Sequence, residues 1–145
     1  MPRPTHTLSA LALALAACNN PTDPGKERVV GSIDPSNTAV PVIVSPREVE
    51  AQAPFSVVVH TIGTFGCSSP DGQDVSGDGD LVRIVPYDIR AVFGHTQVCP
   101  DEGTIHEHRF SVVFRNRGEG RLRVVGTALA RSDKLDSVEV AVAVR

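Results

Sequence analysis

The stretch FSVVVHT, residues 55–61, alternates large apolar residues with smaller or polar ones. Successive side chains of a β-strand point to opposite faces of a sheet, so Phe55, Val57 and Val59 would share one face. Valine, phenylalanine and threonine are also enriched in strands. The stretch therefore predicts a β-strand with one buried face.

The same two-residue period continues outward from this strand. In RFSVVFR, residues 109–115, one face would carry Phe110, Val112 and Phe114, and apolar residues also alternate in RLRV (121–124) and VEVAVAV (138–144). Shorter β-branched or apolar runs occupy residues 29–33, 40–44, 81–85 and 89–93. Turn-forming segments separate the runs: DPSN (34–37), SPRE (45–48), NRGEG (116–120) and RSDK (131–134). No stretch has a helical repeat of useful length.

Seven to eight short strands with frequent turns predict an all-β domain over residues 29–145, built as an antiparallel β-sandwich. The segment VIVSPREVEAQAPFSVVVHTIG, residues 42–63, resembles the opening of bacterial immunoglobulin-like domains: a strand, a Ser-Pro turn, and a strand after Ala-Pro. This resemblance implies an immunoglobulin-like sandwich. The chain has no Trp, so the core tryptophan of antibody domains is absent. A small β-barrel is the alternative fold.

Composition and charge narrow the class of protein. The chain has 145 residues, 41% of them hydrophobic and 21% charged, which suits one packed domain. The formal net charge is only -3, and the arginines are scattered among apolar residues rather than clustered. Nucleic-acid binding needs a basic patch, so we expect no nucleic-acid partner.

The N-terminus has the form of an export signal. Arg3 gives it a positive start, and residues 8–17 are apolar apart from Ser9. Ten residues are about half the roughly 20 needed for a transmembrane helix, so a secretory signal peptide is predicted. The run ends in Leu15-Ala16-Ala17-Cys18, which resembles the lipobox of bacterial lipoproteins.

That resemblance implies a specific modification. A diacylglyceryl group would be attached to the Cys18 sulfur, residues 1–17 would be removed as signal peptide, and the new amine would often be acylated, for example with palmitate. Residues 18–28 would then form a flexible tether to the membrane. Asn19 stands where members of the family retained in the inner membrane tend to have Asp, so an outer-membrane location is implied, with the domain in the periplasm or at the surface.

Cys67 and Cys99 are the remaining cysteines once Cys18 is assigned to the lipid. Exported proteins meet an oxidising compartment, and these two lack the Cys-x-x-Cys spacing of a redox motif. We therefore predict one structural disulfide between them. Metal ligation and a catalytic thiol are the alternatives.

The Asp-rich stretch DVSGDGDLV, residues 74–82, resembles the calcium loop of dockerins and EF-hands. Its candidate ligands are Asp74, Ser76, Asp78 and Asp80, because alternate oxygens suit a hard cation. The loop lacks the final bidentate acid, since Val85 stands there. We expect a solvated loop between strands, with calcium binding as the alternative.

A second metal candidate is the pair His106 and His108, which would share one face of a strand. With His60 and His95 approaching from elsewhere, they could form a zinc or copper site. The predicted disulfide-bearing β-sandwich resembles copper–zinc superoxide dismutases, some of which are lipoproteins, but the His-x-His-x-x-Gly motif of that family is absent from this sequence. We expect both histidines on the solvent face, leading into the apolar alternation that begins at Phe110.

Catalytic motifs are not apparent. Ser68 and Ser69 follow Cys67, but no Gly-x-Ser-x-Gly elbow surrounds them, and no carboxylate pair or phosphate loop is placed by the sequence. We therefore expect a membrane-anchored envelope lipoprotein that is not an enzyme and has no cofactor. It would act as a binding or structural module, with an envelope protein or polysaccharide as partner; a metal-binding envelope protein is the alternative.

Overall fold

The computed structural model describes residues 25–63, 67–77, 79–92, 99, 103–129 and 131–145. This part of the chain forms ten β-strands and no helix. Their bounds are Lys26–Val30 (β1), Ser32–Ile33 (β2), Ile43–Val44 (β3), Glu48–Val49 (β4), Phe55–Gly63 (β5), Ser69–Gly77 (β6), Leu81–Ala91 (β7), Thr104–Val112 (β8), Gly118–Ala128 (β9) and Arg131–Val144 (β10). Within these ranges no helix has the length and apolarity needed to cross a bilayer.

Seven strands form the larger sheet, sheet A, in the order β1-β7-β9-β10-β4, with β6 on β7 and β2 on β9. The first residues of β7, Leu81–Ile84, pair in parallel with β9, and its last residues, Tyr87–Ala91, pair antiparallel with β1. The opposite edge of β7 pairs with β6. Sheet A curls into a half-barrel.

Gly31 lies between β1 and β2, where the chain steps from β7 to β9. Its N–H donates to the carbonyl of Pro86 at 2.9 Å, and its own carbonyl accepts from the N–H of Thr127 at 3.0 Å. A Cβ added at Gly31 would lie 2.5 Å from Cγ2 of Thr61 and 3.0 Å from Oδ2 of Asp88. Glycine is therefore needed here for close approach to the buried side chains beneath it.

The smaller sheet, sheet B, has the order β3-β5-β8. Strands β5 and β8 pair antiparallel from Phe55↔Val112 to Gly63↔Thr104. The strand predicted at residues 55–61 is thus confirmed and extends two residues further, to Gly63. Because β8 pairs with β5 along its whole length, the inward-facing side chains of β8 lie beside those of β5 in the interior of the domain.

Both sheets contribute to one apolar core. Val57 and Val59 of β5 and Leu122 and Val124 of β9 are fully buried. Phe114 is also fully buried, and its ring stacks on that of Phe55 with centroids 5.4 Å apart. The faces that the two-residue alternation predicts for β5, β8 and β9 are therefore confirmed.

The all-β class is confirmed, but the strand count and direction differ from the prediction. The described residues contain ten strands rather than seven to eight, and the pairs β7–β9, β2–β9 and β4–β10 are parallel rather than antiparallel. The run predicted at 81–85 and the first three residues of the run predicted at 89–93 lie in the single strand β7, which ends at Ala91. Phe93 lies outside the described residues. Pro86 interrupts the apolar pattern, but it still pairs with Gln73 of β6, and its carbonyl accepts from the N–H of Gly31, so the strand continues through it.

The boundaries of two segments also need correction. The tether predicted at 18–28 is wrong at its end, because β1 begins at Lys26, which pairs with Ala91. Arg28 forms an ion pair with Asp71 at 2.6 Å, and its guanidinium lies 3.7 Å from the ring centroid of Tyr87. The turn predicted at residues 131–134 lies at the start of β10, where the register against β9 shifts. Residues 1–24, with the lipobox and Cys18, lie outside the described residues.

Candidate functional site

A disulfide joins Cys67 to Cys99, with the Cα atoms 5.3 Å apart. This confirms the predicted pairing. Cys67 lies just before β6, two residues ahead of its first residue, Ser69. The bond closes a loop of 32 residues in sequence separation, and this loop contains all of β6 and β7.

His106 and His108 are buried, with 5% and 2% of their surfaces exposed, so the expected solvent-facing position is wrong. The inward-facing set of β8 begins at His106 and continues through His108 to Val112, whereas Ile105 and Glu107 face outward. The inward alternation therefore starts four residues before Phe110, where the sequence had suggested it would begin. Both imidazoles enter the interior rather than the solvent.

Asp88 of β7 is the centre of a buried polar cluster that also contains His106 and His108. Only 4% of Asp88 is exposed. Its Oδ1 lies 2.9 Å from Nδ1 of His106 and 3.2 Å from Nε2 of His108. The cluster links β7 of sheet A to β8 of sheet B, so one carboxylate ties the two sheets together.

His108 is held from two further sides. Its Nε2 lies 3.0 Å from Oγ1 of Thr61, a fully buried residue of β5, and its Nδ1 lies 3.1 Å from the carbonyl oxygen of Gly72 in β6. A carbonyl can only accept, so Nδ1 of His108 carries a hydrogen. The position of this ring is fixed by three strands besides its own.

His106 connects the cluster to a hydroxyl nearer the surface. Its Nε2 lies 3.1 Å from Oγ of Ser68, which is half-buried. The atoms Ser68 Oγ, His106 Nε2 and Nδ1, and Asp88 Oδ1 thus form one continuous hydrogen-bonded row. A Cβ added at Gly63 would lie 2.7 Å from Cε1 of His106, so the imidazole packs directly against the β5 backbone.

The electrostatics of the cluster favour an ionised carboxylate. Burial raises the pKa of Asp88, but hydrogen bonds from His108, Thr61 and His106 together outweigh burial and hold the pKa below its ordinary value. Every buried side-chain nitrogen and oxygen in the described part of the chain has a hydrogen-bond partner. The cluster is therefore a fully satisfied network, the condition under which buried polar groups stabilise a fold.

The Asp-rich stretch at residues 74–82 is not the solvated loop that the sequence predicts. Asp74 and Ser76 lie within β6, paired with Val85 and Arg83, so the loop expected over residues 74–82 is largely a strand. The Asp74 carboxylate accepts from the Tyr87 hydroxyl at 2.9 Å. β6 is rich in Gly, Asp and Ser, but it is an exposed strand at the edge of β7, where such residues are tolerated.

The other metal candidates are dispersed or already hydrogen-bonded. Asp80 accepts from the Asn116 amide at 3.2 Å, and Nδ1 of His60 lies 2.7 Å from the carbonyl of Pro41. Asp78 and His95 lie outside the described residues. Among the residues that the structure describes, no group of three or more His, Cys, Asp or Glu side chains is arranged to hold a metal ion.

The sequence did not single out Asp88 and Thr61 as members of this cluster. Thr61 continues the inward-facing register of Val57 and Val59, so its burial could have been read from the alternation in β5. Asp88 offered no such signal, because its partners lie on β8, on the other sheet.

A scan against protein-family models, a search of curated proteins and a search of solved structures each found no match to this chain.

Proposed function

We propose that this chain is a lipoprotein of the bacterial cell envelope, anchored through a lipid on Cys18. The observation that carries the proposal is the disulfide between Cys67 and Cys99. Structural disulfides persist in oxidising compartments and are rare in the cytosol. An export signal that ends in Leu15-Ala16-Ala17-Cys18 supplies the route to such a compartment.

The membrane is the first partner that this proposal requires. One acyl chain holds a protein only marginally, whereas two or more give stable anchoring. Because β1 begins at Lys26, the tether runs from residue 18 to residue 25. Eight extended residues span at most about 28 Å, so the first strand of the domain would stay close to the lipid surface. The identity of Asn19 supports the outer membrane.

The domain itself is proposed to act as a binding or structural module of the envelope, with an immunoglobulin-like sandwich as its architecture. Two sheets that share one apolar core support this assignment. Its outward-facing side chains form surface ion pairs, such as Arg123 with Glu139 at 2.7 Å and Arg90 with Glu27 at 2.6 Å. A polar outer face is suited to an aqueous compartment and to an envelope protein or polysaccharide as partner.

Fatty-acid labelling and membrane fractionation of a Cys18→Ser variant test the proposal. The unmodified chain should incorporate an alkyne fatty acid and sediment with membranes, and Cys18→Ser should do neither. An Asn19→Asp variant is the matched control: it should keep the label and move toward the inner-membrane fraction. Retention of label and membrane association by Cys18→Ser would place the anchor elsewhere and reject the proposal.

A further inference from the structure

We propose that Ser68 is a nucleophile activated by His106 and Asp88, and that it accepts acyl groups from carboxylic esters. The proposal goes beyond the envelope function and does not depend on the lipid anchor. It rests on the row of hydrogen bonds that runs from Ser68 on the half-buried side to Asp88 in the interior. The sequence gives no sign of it, because the three residues come from separate segments.

The geometry of the row satisfies the requirements for a general base. The Asp88 carboxylate can only accept at Nδ1 of His106, 2.9 Å away, so that nitrogen carries the hydrogen. Nε2 is then the nitrogen with a free lone pair, and it lies 3.1 Å from Oγ of Ser68. A nucleophile, a base in the correct tautomer and a group that orients the base are the three parts of an activated serine.

The surrounding residues hold the base in place. His106 is 5% exposed and packs against Gly63, where a Cβ would lie 2.7 Å from its Cε1. Asp88 is itself held by Thr61 and His108. A base whose rotamer is locked by packing and by second hydrogen bonds needs little reorganisation when the reaction occurs.

Ser68 is the least buried member of the row. It is half-buried, whereas His106 and Asp88 behind it are buried. The disulfide of the preceding residue, Cys67, fixes the chain on one side, and β6 begins at the following residue, Ser69. Acyl transfer from an ester is the reaction class that a serine activated in this way performs.

The reaction would proceed in two balanced steps. Oγ of Ser68 attacks the ester carbonyl carbon while its proton passes to Nε2 of His106; the bond to the leaving oxygen then breaks, and that oxygen takes the proton from Nε2. A water molecule next attacks the acyl-serine and gives its proton to Nε2. The bond to Oγ breaks, Oγ takes the proton back, and a carboxylic acid is released.

Labelling with a fluorophosphonate probe, which reacts with activated serines, tests the proposal directly. The mature protein should take up one probe, and peptide mapping should place it on Ser68. Ser68→Ala should abolish labelling and hydrolysis of p-nitrophenyl acetate above the buffer rate. Ser69→Ala is the matched control, because it removes a neighbouring hydroxyl outside the row, and it should leave both rates unchanged.

Asp88→Asn tests the role of the orienting carboxylate. In a Ser-His-Asp protease this change leaves the geometry intact and lowers kcat about 10⁴-fold through the wrong tautomer, so we expect at least about a tenfold slower labelling here. Circular dichroism would show that the variant is folded. No labelling of the wild-type protein, labelling at a residue other than Ser68, or equal ester hydrolysis by wild type and Ser68→Ala would each overturn the proposal. Mapping on the wild-type chain decides the question even where Asp88→Asn does not fold.

Discussion

Replacing Asp88 with alanine should destabilise the domain more than any exposed substitution. The change removes the acceptor shared by His106, His108 and Thr61, all of which are at least 95% buried. Each buried polar group left without a partner costs about 1–3 kcal/mol, so three such groups would cost about 3–9 kcal/mol if nothing replaced the lost hydrogen bonds. Water entering the space left by the carboxylate would replace some of these contacts.

We therefore expect Asp88→Ala to lower the free energy of unfolding by about 3–5 kcal/mol, a large part of the roughly 5–15 kcal/mol typical of a domain. Urea denaturation of the mature protein, with the disulfide intact, measures this loss directly. Asp133→Ala is the matched control, because Asp133 is exposed on β10, and it should change stability by no more than about 0.5 kcal/mol. A loss below about 1 kcal/mol for Asp88→Ala would refute the view that the carboxylate holds the network together.

Three further changes probe the same region. The folded pKa of Asp88 lies below the unfolded value of about 3.9, so its contribution to stability is complete at neutral pH and is lost as pH falls from about 5 through the folded pKa. Acid titration should therefore lower the free energy of unfolding of the wild type more than that of Asp88→Asn, and parallel curves of stability against pH would contradict this. Gly31→Ala should lower the free energy of unfolding by about 1–3 kcal/mol, because its Cβ would overpack the interior. In Gly103→Ala the Cβ would meet only a carbonyl at 3.6 Å, so this control should be close to neutral, and equal losses of stability in urea would argue against close packing at Gly31. Reducing the Cys67–Cys99 bond, which closes a 32-residue separation, should lower stability by about 3–4 kcal/mol on the chain-entropy model, and an unchanged urea midpoint would count against a stabilising role.

The buried strand faces and the disulfide could be predicted from the two-residue period of the strands and from the number of cysteines. The buried faces of β5 and β9 follow from alternation alone, because a strand with one buried face must repeat every two residues. The pairing of Cys67 with Cys99 follows from setting Cys18 aside and from the absence of a redox spacing. These are local or counting arguments, and they need no knowledge of how strands pair.

Strand pairing accounts for what the sequence missed. His106 and His108 are polar, so the apolar alternation of β8 begins at Phe110, although the inward-facing residues begin at His106. The carboxylate that makes burial of His106 and His108 favourable lies on β7, and its position is set by the way the two sheets meet. No local motif marks Ser68, because its partner His106 is 38 residues away in sequence. Such a cluster is specified by tertiary contacts that no periodicity encodes.

Mass spectrometry of the N-terminus of the protein isolated from membranes tests the central functional claim most directly. The proposal predicts that the chain begins at Cys18 and that this residue carries a thioether-linked diacylglyceryl group, with or without an acyl group on its amine. A chain that retains residues 1–17, or one that begins at Cys18 without any lipid, would contradict the claim that Cys18 anchors this domain to the envelope.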